Sequence, residues 1–145
     1  MLVYVDTSVF GGVFDPEFER GSRAFFDSIR SGRFRGAVSA LVTDELVDAP
    51  SRVRELFTEF EPMLERLDIG SPAFGLRRAY LEARVVSPRW AADALHVASA
   101  TVSGCQAIVS WNFRHIVNFQ RIPLYNAINE VEGYRPIAIY TPLEM

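Results

Sequence analysis

Short apolar runs rich in β-branched residues alternate along this chain with longer segments whose apolar side chains recur every three or four positions, and that alternation limits the fold more than any other feature. Leu2 to Val5, ending in Asp6-Thr7-Ser8, predicts a buried strand followed by a capped turn. From Pro16 to Arg30, Phe18, Phe25, Phe26 and Ile29 recur at helical spacing among charged residues, and Gly32 supplies a stop. Gly36 to Ser39 predicts a second strand, and Ala40 to Asp48 a second helix that must end before Pro50. Ser51 caps a third helix to about Glu61, and Leu64 to Ile69 is a strand mixed with turn residues. Ser71-Pro72 opens a helix through Arg84, and Ser87-Pro88 repeats the device for a helix through Val102, because proline suits the first helical turn. Gly104 closes that helix. Ala107 to Ser110 predicts a further strand and Ile137 to Tyr140 the last, after a polar connection punctuated by prolines.

Strands that are apolar on both faces and separated by helices predict an α/β fold in which helices cover each side of a mostly parallel sheet. With 145 residues, 49% of them hydrophobic, the chain has material for one sizeable core, so residues 1–145 are expected to form a single domain. The apolar start reaches Asp6 at once, without a basic leader, and charges interrupt every later apolar run well short of the roughly 20 residues that span a bilayer. The cytoplasm is the expected location. Cys105, the lone cysteine, is expected to be a small buried thiol, and a disulfide framework within one chain is excluded. A formal charge of −3 argues against a protein that simply coats nucleic acid. All 15 Lys and Arg positions are arginine, a side chain whose planar fork binds phosphate bidentately, although base composition of the gene is the better explanation of the bias.

Ligands of parallel sheets sit beyond the carboxyl ends of the strands, which directs attention to Asp6 and to Ser110-Trp111-Asn112. Asp93 is the most informative carboxylate, because Ala91-Ala92-Asp93-Ala94-Leu95-His96-Val97-Ala98 is apolar on nearly every side. Burying a carboxylate there costs several kcal/mol, in order of magnitude, unless a cation, hydrogen bonds or protonation compensates it. Either an arginine or the helix amino terminus supplies that compensation, or a ligand approaches over the small alanines. Asp6 reads as a helix cap or as a ligand. Glu45 reads either as part of a solvated acidic face with Asp44 and Asp48, or as a side chain turned inward with Leu41 and Ala49.

Val5-Asp6-Thr7-Ser8, Thr43-Asp44-Glu45-Leu46, Ala92-Asp93-Ala94-Leu95-His96-Val97-Ala98 and Ser110-Trp111-Asn112-Phe113 together resemble the successive motifs of PIN-domain proteins, in order and over nearly the whole chain. The resemblance implies a three-layer α/β/α sandwich with a central, mostly parallel sheet, and an acidic pocket holding Mg2+ or Mn2+ for cleavage of RNA. It assigns Asp6, Glu45, Asp93 and Asn112 to the catalytic and metal-binding site, with Asp6 and Asp93 holding the metal and Glu45 binding through water or orienting the attacking water. Hard cations of this kind prefer carboxylate oxygen and keep several waters, one of which the metal makes more nucleophilic. Asn112 departs from the family pattern, in which an acidic residue is common here; its neutral amide weakens the hold on a second cation. Ser110 is expected to orient a neighbouring carboxylate, Asn118 to serve as a turn residue, and Trp111 to pack beside a strand end.

VapC-like toxins of bacterial toxin and antitoxin pairs are the nearest functional likeness. That comparison implies an RNA substrate, a homodimer, and an antitoxin partner that offers an arginine to the pocket. A PIN-scaffold binding module, weakened as a nuclease by Asn112, is the second reading. Phosphatases of the haloacid dehalogenase type also begin with an aspartate after the first strand, but need another two residues on, where Ser8 stands. Neither His96 nor His115 belongs to a zinc pattern, and His96 is expected to be a packing residue of the core.

Overall fold

The computed structural model describes residues 1–145. Its strands are β1 (Leu2–Val5), β2 (Arg35–Ser39), β3 (Leu64–Leu67), β4 (Ala107–Val109) and β5 (Ala138–Tyr140), and its helices α1 (Thr7–Gly12), α2 (Glu19–Arg30), α3 (Ala40–Leu46), α4 (Ser51–Phe60), α5 (Ser71–Glu82), α6 (Ala91–Val102) and α7 (Ile122–Val131). The five strands form one sheet in the order β3-β2-β1-β4-β5, with every pairing parallel. All four residues of β1 are buried, as a central strand covered on both faces requires.

The order of strands determines where the helices go. From β1 the chain moves outward through β2 to β3, then returns past β1 to β4 and β5. Right-handed crossovers taken in opposite directions place their helices on opposite faces. Accordingly α1 packs against α2, α3 and α4, whereas α5 packs against α6 and α7. The reversal falls between β1 and β4, so the crevice beyond their carboxyl ends is the topological switch point at which open parallel sheets bind ligands.

One cluster of 36 buried residues fills the interior. Phe10 of α1 meets Phe26 at 5.1 Å and Phe57 at 5.3 Å between ring centroids, and Phe26 meets Phe60 at 4.6 Å, which locks α1, α2 and α4 together. Each such ring contributes about 1.5–3 kcal/mol by leaving water. Helix α6 is buried without interruption from Ala94 to Thr101, as expected of a helix apolar on all sides.

Two elements differ from the sequence-based expectation. The capped turn after β1 is a helix, α1, whose N-cap is Asp6. The polar stretch before β5 contains α7, with Pro123 in its first turn, where its missing N–H costs nothing. Periodicity concealed α7 because part of its buried face is polar. Asn129 accepts the Tyr80 hydroxyl hydrogen bond, and Tyr125 packs edge-on against Tyr80 at 4.9 Å. Smaller differences lie at element ends: the Ser87-Pro88 signal opens a 3₁₀ turn, Pro88–Trp90, before α6 begins.

Candidate active site

Asp6 leaves β1 at the switch point, 5% exposed. Its Oδ2 accepts hydrogen bonds from Ser8 Oγ at 2.7 Å and Ser110 Oγ at 2.8 Å, and a longer one from the Ser8 amide at 3.4 Å. Those hydroxyls are held in turn: Ser8 Oγ accepts from the Trp111 amide at 2.9 Å, and Ser110 Oγ from the Asn112 amide at 2.9 Å. One oxygen of Asp6 is thus committed to the loops after β1 and β4, and the other, Oδ1, faces the His96 ring nitrogen Nε2 at 3.4 Å.

His96 is 1% exposed and sits at the centre of the cluster. Its Nδ1 is 2.8 Å from the Tyr4 hydroxyl, which also meets Ser39 Oγ at 2.7 Å, and its Nε2 is 2.5 Å from Glu45 Oε1. A carboxylate offers no proton to share, so Nε2 carries the donor. Burial alone would push the imidazole pKa down, but Asp6, Glu45 and Asp93 outweigh it and raise the pKa above the ordinary value. His96 is thus the buried core residue expected, packed edge-on against Tyr4, and in addition a hydrogen-bonding bridge. One helical turn from Asp93, His96 bridges two carboxylates that lie far apart in sequence.

Glu45 projects from α3, and its side chain is 36% exposed. The same Oε1 that meets His96 accepts the Thr7 hydroxyl at 2.8 Å. No protein donor reaches Oε2. Both readings of this glutamate hold in part: Glu45 is exposed like Asp44 and Asp48, yet one of its carboxylate oxygens turns in to the buried His96.

Asp93 lies in the first turn of α6 with its side chain 19% exposed, and its Oδ2 is 3.0 Å from His115 Nδ1. Its compensation comes from histidine and asparagine rather than arginine. Burial raises the Asp93 pKa, and repulsion from Asp6 adds to the rise, while Asn112, His115 and His96 oppose it. His115 itself is buried and stacks on Trp90 at 4.2 Å with 26° between the rings. Burial and the nearby Arg121 and Arg114 lower its pKa against the pull of Asp93.

Asn112 Oδ1 accepts the backbone amides of Arg114 at 3.2 Å and His115 at 3.0 Å, closing the loop after β4. Its amide nitrogen is left for Asp93, whose carboxylate it helps to hold. The other minor residues behave as their sequence context predicts. Ser110 orients Asp6, and Asn118 caps its own turn through the amides of Gln120 and Arg121. Trp111 stacks on Phe18 at 4.5 Å, and Cys105 is buried, its pKa pushed up to about 12 by burial.

The donors suit a hard cation in kind, since Asp6, Glu45 and Asp93 supply carboxylate oxygen. No three His, Cys, Asp or Glu side chains form a ready-made cage for a metal ion. Magnesium does not need one, because it binds through one or two carboxylates and retains waters. A concavity of about 250 Å³ lies elsewhere, between α2 and α4, but Arg30 pairs there with Asp27 at 3.1 Å and Glu59 at 2.9 Å, so its charges are already satisfied.

Sequence reasoning passed over both histidines. The signal for His96 was its i+3 spacing from Asp93, which puts the two on one helix face. Nothing local marked His115, because Asp93 reaches it only through the fold.

An all-parallel sheet covered by helices, with Asp6 and Glu45 meeting at its switch point, defines an open α/β fold whose ligand crevice lies at that rim. The PIN domain family matches residues 3–118, and the chain belongs to that family, whose members are generally nucleases. No curated protein matches the sequence. Among solved structures, the chain is similar to VapBC2 from Rickettsia felis bound to a DNA fragment of its promoter, at 15% identity over 97% of this chain and 98% of that one, with a TM-score of 0.64. It is also similar to FitAcB from Neisseria gonorrhoeae, at 16% identity over 99% of both chains, with a TM-score of 0.61. No helix is long and apolar enough to cross a membrane.

Proposed function

We propose that this chain is a single-domain, metal-dependent endoribonuclease of the cytoplasm, acting as the toxin of a toxin and antitoxin pair. The observation that carries the reading is the meeting of Asp6 and Glu45 on one imidazole, with Glu45 Oε1 and Asp6 Oδ1 at 2.5 and 3.4 Å from His96 Nε2, one helical turn along α6 from Asp93. Asp6 and Asp93 would hold a divalent cation, Mg2+ or Mn2+, and Glu45 would reach it through water. When bound, the cation supplies a water of lowered pKa and neutralises charge on the phosphate oxygens. The chain does the rest. Ser8 and Ser110 fix the angle of Asp6, His96 and Thr7 hold Glu45 where it can orient the attacking water, and Asn112 leans on Asp93. The partner proteins named with the similar structures support an antitoxin for this chain, whose arginine would enter the acidic pocket, and a homodimer is part of the same proposal.

A synthetic RNA incubated with the protein and Mg2+ is expected to be cleaved, and cleavage to fall at least ~100-fold in Asp93→Asn, the scale on which active-site carboxylates matter. Equal cleavage by both proteins removes Asp93 from the mechanism. A second reading, a binding module on the same scaffold, draws on the committed Asn112 oxygen and the lack of a ready-made metal cage. Calorimetric titration separates the two: a folded protein that takes up no Mg2+ or Mn2+ at millimolar concentration favours the module.

A further inference from the structure

An aspartate side chain turns freely about its last bond, whose rotamers are broad and two-fold, so a useful ligand needs a donor that decides which oxygen faces the pocket. Asp6 has its serine hydroxyls and Glu45 has Thr7 and His96. On α6 the neighbours of Asp93 are Ala91, Ala92 and Ala94, which have no side-chain donor. Its donors come from the loop after β4, which brings the Asn112 amide nitrogen and the His115 ring to this carboxylate.

We infer that His115 is a positioning residue, whose Nδ1–H fixes the Asp93 carboxylate so that its other oxygen serves the pocket; this rests on the metal-dependent reading above. His115 Nδ1 is 3.0 Å from Asp93 Oδ2. His115 is itself held in three ways, one on its ring and two on its backbone. Trp90, in the 3₁₀ turn that precedes α6, lies flat against it at 4.2 Å; Asn112 Oδ1 accepts its backbone amide at 3.0 Å; and the Tyr125 hydroxyl of α7 donates to its carbonyl at 2.8 Å. The residue is 4% exposed. A surface ion pair would have none of these supports. The arrangement matches the general design of metal sites, in which ligands are oriented by partners that do not touch the metal and whose loss weakens metal binding roughly 10- to 100-fold.

His115→Phe keeps a flat ring against Trp90 and removes the donor, whereas His115→Asn can place an amide N–H close to the position of Nδ1. Calorimetric titration with Mn2+ alone is expected to give at least ~10-fold weaker binding for His115→Phe and binding within a few-fold of wild type for His115→Asn. RNA cleavage is expected to follow the same order, while the melting temperatures confirm folding. If His115→Phe does not fold, His115→Leu against His115→Asn repeats the comparison at similar volume. Unchanged Mn2+ affinity in His115→Phe, or equal losses in the donor and non-donor variants, overturns the inference and leaves the nuclease reading standing. Failure of the wild type to bind Mn2+ overturns both.

Discussion

At the residue scale, the pocket is a problem in neutralising charge. Asp6 and Glu45 both meet the buried His96 imidazole, and Asp93 lies one helical turn from it; His96 is the one basic side chain within 4.0 Å of Asp6 or Glu45. Burial would hold its pKa down, but the carboxylates raise it above 6.5. A histidine whose pKa is higher in the folded than in the unfolded state contributes stability that is complete below about 6.5 and lost as pH rises through the folded value. Urea denaturation of metal-free protein is therefore expected to show stability falling from pH 6 towards pH 9, with a flatter profile in His96→Gln. Parallel profiles for the two proteins would separate His96 from the pH dependence.

At the scale of elements, the position of α1 depends on a glycine. A Cβ at Gly12 would stand 2.5 Å from Ser22 Oγ and 2.8 Å from Trp111 Cδ1. Trp111 Nε1 donates to Ser22 Oγ at 2.8 Å, so neither neighbour can yield without breaking the contact that ties α2 to the loop after β4. Helix propensity alone favours Gly12→Ala by about 1 kcal/mol. Overpacking is expected to win, lowering stability by about 1–3 kcal/mol in chemical denaturation. Most elements were legible in the sequence, because strands buried on both faces and amphipathic helices leave patterns of period and punctuation. Helix α7 was not, since Asn129 and Tyr125 fill its buried side and their hydrogen bonds to Tyr80 and the His115 carbonyl exist only between elements. The candidate site was legible in the same partial way. Asp6, Glu45 and Asp93 announced themselves through carboxylates in costly or strategic places, whereas the role of Asn112 depended on which end of its amide met the backbone.

At the scale of the whole molecule, the sheet order places Asp6 and the loop after β4 on one rim. On the proposed reading, a cation bound there would join α3, α6 and the end of β1 and so would stabilise the folded state by mass action. Mn2+ at 100 times its dissociation constant is expected to add about 2.7 kcal/mol, read as a rise of several degrees in Tm that EDTA reverses. No change in Tm at saturating Mn2+ would count against a shared site. By itself, the sequence determined the strands and most of the helices through local periodicity and capping, the family through its ordered motifs, and Asp6, Glu45 and Asp93 as candidates. Only the tertiary structure decided that His96 and His115 meet those carboxylates and that the Asn112 oxygen binds backbone amides. A hydrogen bond is decided at a few ångströms, and the fold alone brings residues 51 and 22 positions apart, Glu45 with His96 and Asp93 with His115, within that range.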